Sequence, residues 1–153
     1  MPVGFKNGTD GNIRVAIDAI QASTASHLFT APGSQGGMVV IKSEGNPDGH
    51  IILRGGTLPN YHQSDVAEAA DRLTRQGLPP RLMVDCSHGN SQKLHTNQLK
   101  VAKDLCRQLS EGSQAVAAVM VESFLLGGNQ NVWRWYSPDS CPQKGVVIRL
   151  QTG

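Results

Sequence analysis

The chain has 153 residues, 39% of them apolar and 17% charged, enough for one domain with a genuine core. A net charge of +2 is too small to point to nucleic acid or a membrane surface, and no apolar run reaches the roughly 18 residues that span a bilayer. The start, Met1-Pro2-Val3-Gly4-Phe5-Lys6, is not a signal peptide, and Cys86, Cys106 and Cys141 form an odd, widely spaced set without zinc-type pairing, so a reduced, cytoplasmic setting is expected.

In chain order, residues 3–5 open a series of four continuously apolar runs, followed by 51–53, 82–84 and 116–121. Continuous rather than alternating runs predict strands covered on both faces. Residues 12–22 read as a helix with Ile13, Ala16, Ile17 and Ile20 on one face. Residues 27–30 and 38–43 read as two short strands inserted before the second run. Ser64 or Asp65 is the expected cap of a helix to about Gln76, with Val66, Ala69, Ala70 and Leu73 inward and Gly77 and Pro79 as the stop. Residues 97–109 repeat the pattern with Val101, Leu105 and Leu109, and Gly112 ends it. Cys86 reads as a small buried residue and Cys106 as part of that helix's core. Strand–helix–strand alternation with right-handed crossovers means a parallel sheet, either doubly wound or part of a barrel. Neither G-x-G-x-x-G nor G-x-x-x-x-G-K-[ST] occurs, so the usual nucleotide signatures are absent.

The residues that close the four runs are unusual as a set: Lys6, Arg54, His88 just past Asp85, and Glu122. His88 follows Arg54 by 34 residues and Glu122 follows His88 by 34 (88 − 54 and 122 − 88), one βα unit per step. All four side chains should then emerge at one C-terminal rim, where barrel enzymes keep their sites. Two cations suit an oxyanion-rich substrate. An imidazole and a carboxylate suit a divalent ion such as Mn, Fe, Co or Zn, although two ligands are too few for a catalytic metal site. Taken singly, each residue has a plainer reading, as a solvated loop cation, a hydrogen-bonded core histidine or a helix cap. His27, His50, His62 and His95 read as loop or surface positions.

The wording at these positions is more specific than their spacing. Pro2-Val3-Gly4-Phe5-Lys6-Asn7-Gly8-Thr9-Asp10-Gly11 resembles a hallmark of the class I 3-deoxy-7-phosphoheptulonate (DAHP) synthases, the first enzymes of the shikimate pathway. Ile51-Ile52-Leu53-Arg54-Gly55-Gly56 with Pro59-Asn60-Tyr61 resembles a second. Met83-Val84-Asp85-Cys86-Ser87-His88-Gly89-Asn90-Ser91 resembles a third, and Val119-Met120-Val121-Glu122-Ser123 with Gly128-Asn129-Gln130 a fourth.

The resemblance implies an α/β fold, a partial TIM (β/α)8 barrel of about four βα units with an inserted β-hairpin. It implies condensation of phosphoenolpyruvate with erythrose 4-phosphate by a metal-dependent, cytoplasmic enzyme that is a homo-oligomer at full length. Carried over by motif, Lys6 and Arg54 contact phosphoenolpyruvate, His88 is a metal ligand close to it, and Glu122 is a second metal ligand. The inserted segment corresponds to a region that helps form an aromatic amino-acid inhibitor pocket in feedback-regulated members, with Phe29 at an apolar wall; the plainer reading is a core Phe.

The resemblance covers about residues 1–130 as a C-terminal half-barrel, beginning at what looks like the family's fifth barrel strand. A cysteine metal ligand, other cationic substrate contacts and an aspartate metal ligand of the family have no counterpart. Residues 131–153 read as a divergent, frameshifted or otherwise aberrant tail. There Asp139 or Cys141 is an alternative candidate for a replacement ligand, and the alternation of Trp133, Trp135 and Tyr136 reads either as a short strand or as unselected sequence. Two further readings stand beside synthase homology. One is a non-catalytic module binding phosphoenolpyruvate or an aromatic amino acid. The other is a Schiff-base aldolase with Lys6 as nucleophile, against which the Asn-Gly-Thr-Asp-Gly wording and the His/Glu pair argue.

Overall fold

A computed structural model describes residues 1–123 and, as backbone, the strand at 146–151. Strands β1 (Val3–Lys6), β4 (Gly49–Leu53), β5 (Leu82–Asp85) and β6 (Val116–Ser123) form a parallel sheet in that order, and β7 (Val146–Gln151) joins β6 antiparallel. Helices α1 (Arg14–Thr24), α2 (Gln63–Arg75) and α3 (Gln98–Ser110) fill the connections. Strands β2 (Leu28–Pro32) and β3 (Met38–Lys42) pair only with each other, as an antiparallel hairpin between α1 and β4.

The order decides between the two architectures that the alternation allows. Each right-handed crossover advances one strand in the same direction, so successive helices land on the same face. A doubly wound sheet would reverse direction once and cover both faces. This sheet is an arc of a (β/α) barrel, as the family resemblance implies. Its helix-facing residues Ile51, Leu53, Leu82, Val84, Cys86 and Val116 are at most 5% exposed. They pack on Ile13, Ala16, Ile17 and Ile20 of the α1 region, Val66, Ala69 and Leu73 of α2, and Val101 and Leu105 of α3. The helix stripes read from the sequence are therefore the observed core, except that Ala70 and Leu109 are only half-buried.

The expectation of strands covered on both faces holds for β5, whose four residues are all buried, but not for β1, where Gly4 and Lys6 are exposed. The helices cover one side only. The concave side carries Gly4, His50, Ile52, Met83 and Met120 around a cavity of about 230 Å3. His50 thus lies on a strand in this face, not in a loop. Cys106 falls on the exposed side of α3 rather than in its core, one position past the inward Leu105. The cap of α2 is His62, whose N–H donates to the Asp65 carboxylate at 3.1 Å. The cap therefore lies two residues before Ser64, and Asp65 acts from inside the first turn. The residues Trp133, Trp135, Tyr136, Asp139 and Cys141 lie outside the described residues.

The hairpin is apolar and open. Leu28, Phe29, Met38, Val39, Val40 and Ile41 are 40–71% exposed, so Phe29 is not a core residue. Two strands with no layer against them cannot bury either face. The six hairpin residues form a contiguous exposed apolar patch, of the kind that drives association. The 153-residue chain alone is expected to elute from size-exclusion chromatography as associated species at micromolar concentration. A compact monomer with one sharp thermal transition would count against this.

Candidate functional site

The parallel strands deliver their C-termini to one rim, and the register sets the height of each side chain. Lys6 is level with Ile52, Ile52 with Met83, and Met83 with Ala118. One row further on, Leu53 pairs with Val84 and Asp85 with Met120, which puts Arg54 level with Asp85. The Lys6 stem is long enough to cross the intervening strand β4, and its ammonium reaches Asp85 Oδ2 at 2.8 Å. The chain turns sharply after Asp85, with His88 at φ 52°, and this conformation returns the imidazole over the strand end. His88 Nδ1 lies 2.9 Å from Asp85 Oδ2, and Nε2 lies 3.7 Å from Glu122 Oε1. Lys6, His88 and Glu122 therefore lie at one rim as the sequence predicts: Lys6 and His88 meet at Asp85, a residue that spacing alone does not single out, and Glu122 faces the other nitrogen of His88.

Asp85 has no exposed surface, whereas the Lys6, His88 and Glu122 side chains are 33%, 30% and 45% exposed. Its second oxygen accepts from the Ser87 N–H at 2.8 Å and the Ser87 hydroxyl at 2.5 Å. Burial pushes the Asp85 carboxyl up. The hydrogen bonds from Lys6 and Ser87, with the Lys6 charge, outweigh it and hold the carboxyl below its ordinary range. Next to it, burial first and the Asp85 charge second push the Cys86 thiol up to about 12, so Cys86 is a neutral packing residue rather than a nucleophile.

Three asparagines brace the loops that carry these groups. Asn7 donates to the carbonyls of Gly8 and Gly55 at 2.6 and 3.0 Å and accepts from the Arg54 N–H at 2.8 Å. Asn60 accepts from the Gly55 N–H at 2.7 Å, and its own N–H donates to Asn90 Oδ1 at 2.8 Å. Asn90 donates to the carbonyls of Leu53 and Asp85 at 3.1 and 2.9 Å. Each asparagine thus ties one post-strand loop to another. The glycines allow the loops to meet backbone to backbone. A Cβ on Gly55, at φ 74°, would sit 2.4 Å from Asn90 N, and one on Gly89 would sit 2.8 Å from Gly55 C.

Glu122 is positioned from the other side. The Gln98 side chain, at the start of α3, donates to the Glu122 carbonyl at 2.9 Å and accepts from its N–H at 3.0 Å, which imitates one step of a strand ladder. Arg54 is half-buried. Its backbone N–H is held by Asn7, and its carbonyl accepts from the N–H groups of Gly89 and Asn90 at 3.0 and 3.2 Å. Among the described residues its guanidinium forms no ion pair. Phe29 lies on the separate hairpin, not at this rim. Asp85, Asn7, Asn60, Asn90 and Gln98 carry structure that the sequence reading did not assign. The available signal was an Asn soon after each of β1, β4 and β5. Gln98 left no comparable signal. Among the described residues, no group of three or more His, Cys, Asp or Glu side chains is arranged to hold a metal ion, and no helix is long and apolar enough to cross a membrane.

A carboxyl held below its unfolded value adds stability that is present above the unfolded pKa and is lost as pH falls through the folded one. Asp85→Asn should therefore be less stable to urea than the parent chain at pH 7. The gap should narrow below about pH 4, where an unfolded carboxylate begins to protonate. A gap that stays constant from pH 7 to pH 3 would show that the charge of Asp85 is not what stabilises the fold.

Comparison with known proteins places this rim in context. The sequence model of the DAHP synthetase I family matches residues 1–141. The Trp-sensitive phospho-2-dehydro-3-deoxyheptonate aldolase of Enterobacter agglomerans is 56% identical over 131 residues, and that of Escherichia coli K12 is 55% identical over the same length. Each alignment takes in 86% of this chain and 38% of the relative, so the chain spans well under half the length of the curated relatives it matches. The solved phospho-2-dehydro-3-deoxyheptonate aldolase of Francisella tularensis SCHU S4 superposes with a TM-score of 0.80 at 36% identity, over 95% of this chain and 42% of that one. Sequence and fold agree, and the chain belongs to the DAHP synthetase I family.

Proposed function

We propose that this chain carries part of the site of a 3-deoxy-7-phosphoheptulonate synthase, the half that binds phosphoenolpyruvate and a divalent metal. The carrying observation is that Lys6 and His88 meet at one buried carboxylate with Glu122 facing the other side of the imidazole, in a chain 56% identical over 131 residues to such an aldolase. Arg54, level with Asp85 and without an ion-pair partner among the described residues, suits the phosphate or carboxylate of phosphoenolpyruvate as a planar fork. Lys6 spends one donor on Asp85 and keeps two for the same substrate.

The donor set fits half of a metal site. An imidazole Nε2 and a carboxylate oxygen face each other at 3.7 Å, close to the separation of about 3.4 Å between two tetrahedral ligands with bonds of about 2.1 Å. Asp85 behind Nδ1 completes the carboxylate–histidine arrangement that orients metal-binding imidazoles. Mn, Fe, Co or Zn at His88 and Glu122 would polarise the aldehyde of erythrose 4-phosphate. The work of this chain's residues is to hold phosphoenolpyruvate by its anionic groups, so that its enol carbon meets that aldehyde in a fixed orientation. Water addition and loss of phosphate complete the reaction. Further ligands are required for a complete site, which favours a second reading for the 153-residue chain alone, binding without turnover. The full-length setting is read as cytoplasmic and homo-oligomeric.

Calorimetry with phosphoenolpyruvate tests the assignment. Arg54→Ala should weaken binding by about 10–100-fold, the worth of a charge-assisted pair at about 1.5–3 kcal/mol, with the far-ultraviolet circular dichroism unchanged. Unaltered affinity in Arg54→Ala would remove it from the site, and rapid consumption of phosphoenolpyruvate with erythrose 4-phosphate and Mn would reject binding without turnover.

The open hairpin supports a further part of this reading, that Phe29 forms one wall of an aromatic amino-acid pocket. The relatives are named Trp-sensitive, and tryptophan is the ligand we assign. Phe29→Ala should weaken tryptophan binding several-fold and leave phosphoenolpyruvate binding unchanged. Equal tryptophan affinity in both chains would remove Phe29 from that pocket.

A further inference from the structure

The two ring nitrogens of His88 meet different surroundings. Nδ1 lies 2.9 Å from Asp85 Oδ2 and 2.7 Å from Ser87 Oγ. The Ser87 hydroxyl has a single proton, and at 2.5 Å from Asp85 Oδ1 it donates that proton to the carboxylate. Toward His88 it can then offer only a lone pair. Nδ1 faces two acceptors, one of them ionised, and must itself carry hydrogen. In the neutral ring Nε2 is left unprotonated, with its lone pair toward Glu122 Oε1 at 3.7 Å.

We propose that Asp85 is a positioning residue for this site: its buried carboxylate selects the Nδ1–H form of His88, which leaves Nε2 free to bind a cation, and the same oxygen anchors the Lys6 ammonium beside it. The inference rests on the reading of Lys6, His88 and Glu122 above. Oδ2 is the shared point, 2.8 Å from Lys6 Nζ and 2.9 Å from His88 Nδ1, so the anion-binding side and the metal-binding side are registered against one atom. The carboxylate is fixed in turn by the Ser87 N–H and hydroxyl on Oδ1, and the strand end that bears it by Asn90 on the Asp85 carbonyl. A carboxylate that served only the core would have no need to meet both rim groups through one oxygen. Without Asp85, the ring is free to adopt the Nε2–H form that histidine prefers in water, and that proton occupies the position a cation needs.

The tautomer is directly measurable. Magic-angle-spinning NMR of the 15N-histidine-labelled 153-residue chain tolerates association. Spectra are recorded without metal at about pH 8.5, on the alkaline side of the ordinary imidazole range. The His88 signals are assigned by their loss in His88→Gln. The parent chain should show protonated Nδ1 and bare Nε2, Ser87→Ala should retain that pattern, and Asp85→Asn should move most of the population to Nε2–H. Binding of Co2+ alone, by calorimetry, should weaken by about 10–100-fold in Asp85→Asn.

A folded Asp85→Asn chain with the parental tautomer, or with parental Co2+ affinity, overturns the proposal. So does a parent chain already in the Nε2–H form, a result that does not depend on any variant folding. Absence of Co2+ binding in the parent chain would sink the metal reading above, while the tautomer spectra would still decide the role of Asp85.

Discussion

A carboxylate with no exposed surface stays ionised only when donors replace the water it has lost. At Asp85 those donors are a lysine ammonium, an imidazole N–H, a hydroxyl and a backbone N–H. The lysine comes from the end of β1, the others from the turn after β5. The interaction therefore joins strands that are not neighbours in the sheet and closes the rim across β4. Neither the position of Lys6 nor the rotation of His88 is set by its own strand alone.

Below that rim, the fold has a simpler origin. Consecutive βα units that each advance one strand in the same direction leave one face helical and the other concave. The helical face holds nearly all of the buried aliphatic surface, and the concave face ends in the charged groups. Apolar packing and charged groups are thus divided between the two sides of one sheet. Substitutions among Ile51, Leu53, Val84 and their helix partners act through packing, whereas those among Lys6, Asp85 and His88 act through charge and hydrogen bonding.

Much of this was legible before any coordinates. The helix faces followed from apolar residues at three- and four-residue spacing, and Val66, Ala69 and Leu73 are buried as that pattern requires. The rim followed from polar residues that end apolar runs. Periodicity could not separate a barrel arc from a doubly wound sheet, because that depends on strand order, which is a property of long-range pairing. It also passed over Asp85, since an acidic residue ending a strand looks the same whether it is solvated or buried under a lysine from 79 positions away. His50 and Cys106 were misplaced for a local reason. A histidine preceding a strand-like run resembles a loop residue, and a cysteine adjacent to an inward leucine resembles a core residue, until the rotation of the element is known.

The contact between Gly55 and Gly89 has a mechanical consequence. Main chain touches main chain there, with no side chain between to absorb displacement, and Asn90 bonds to both β4 and β5 carbonyls across the same joint. The loop bearing Arg54 and the loop bearing His88 therefore share one close-packed joint, where neither backbone can shift far without displacing the other.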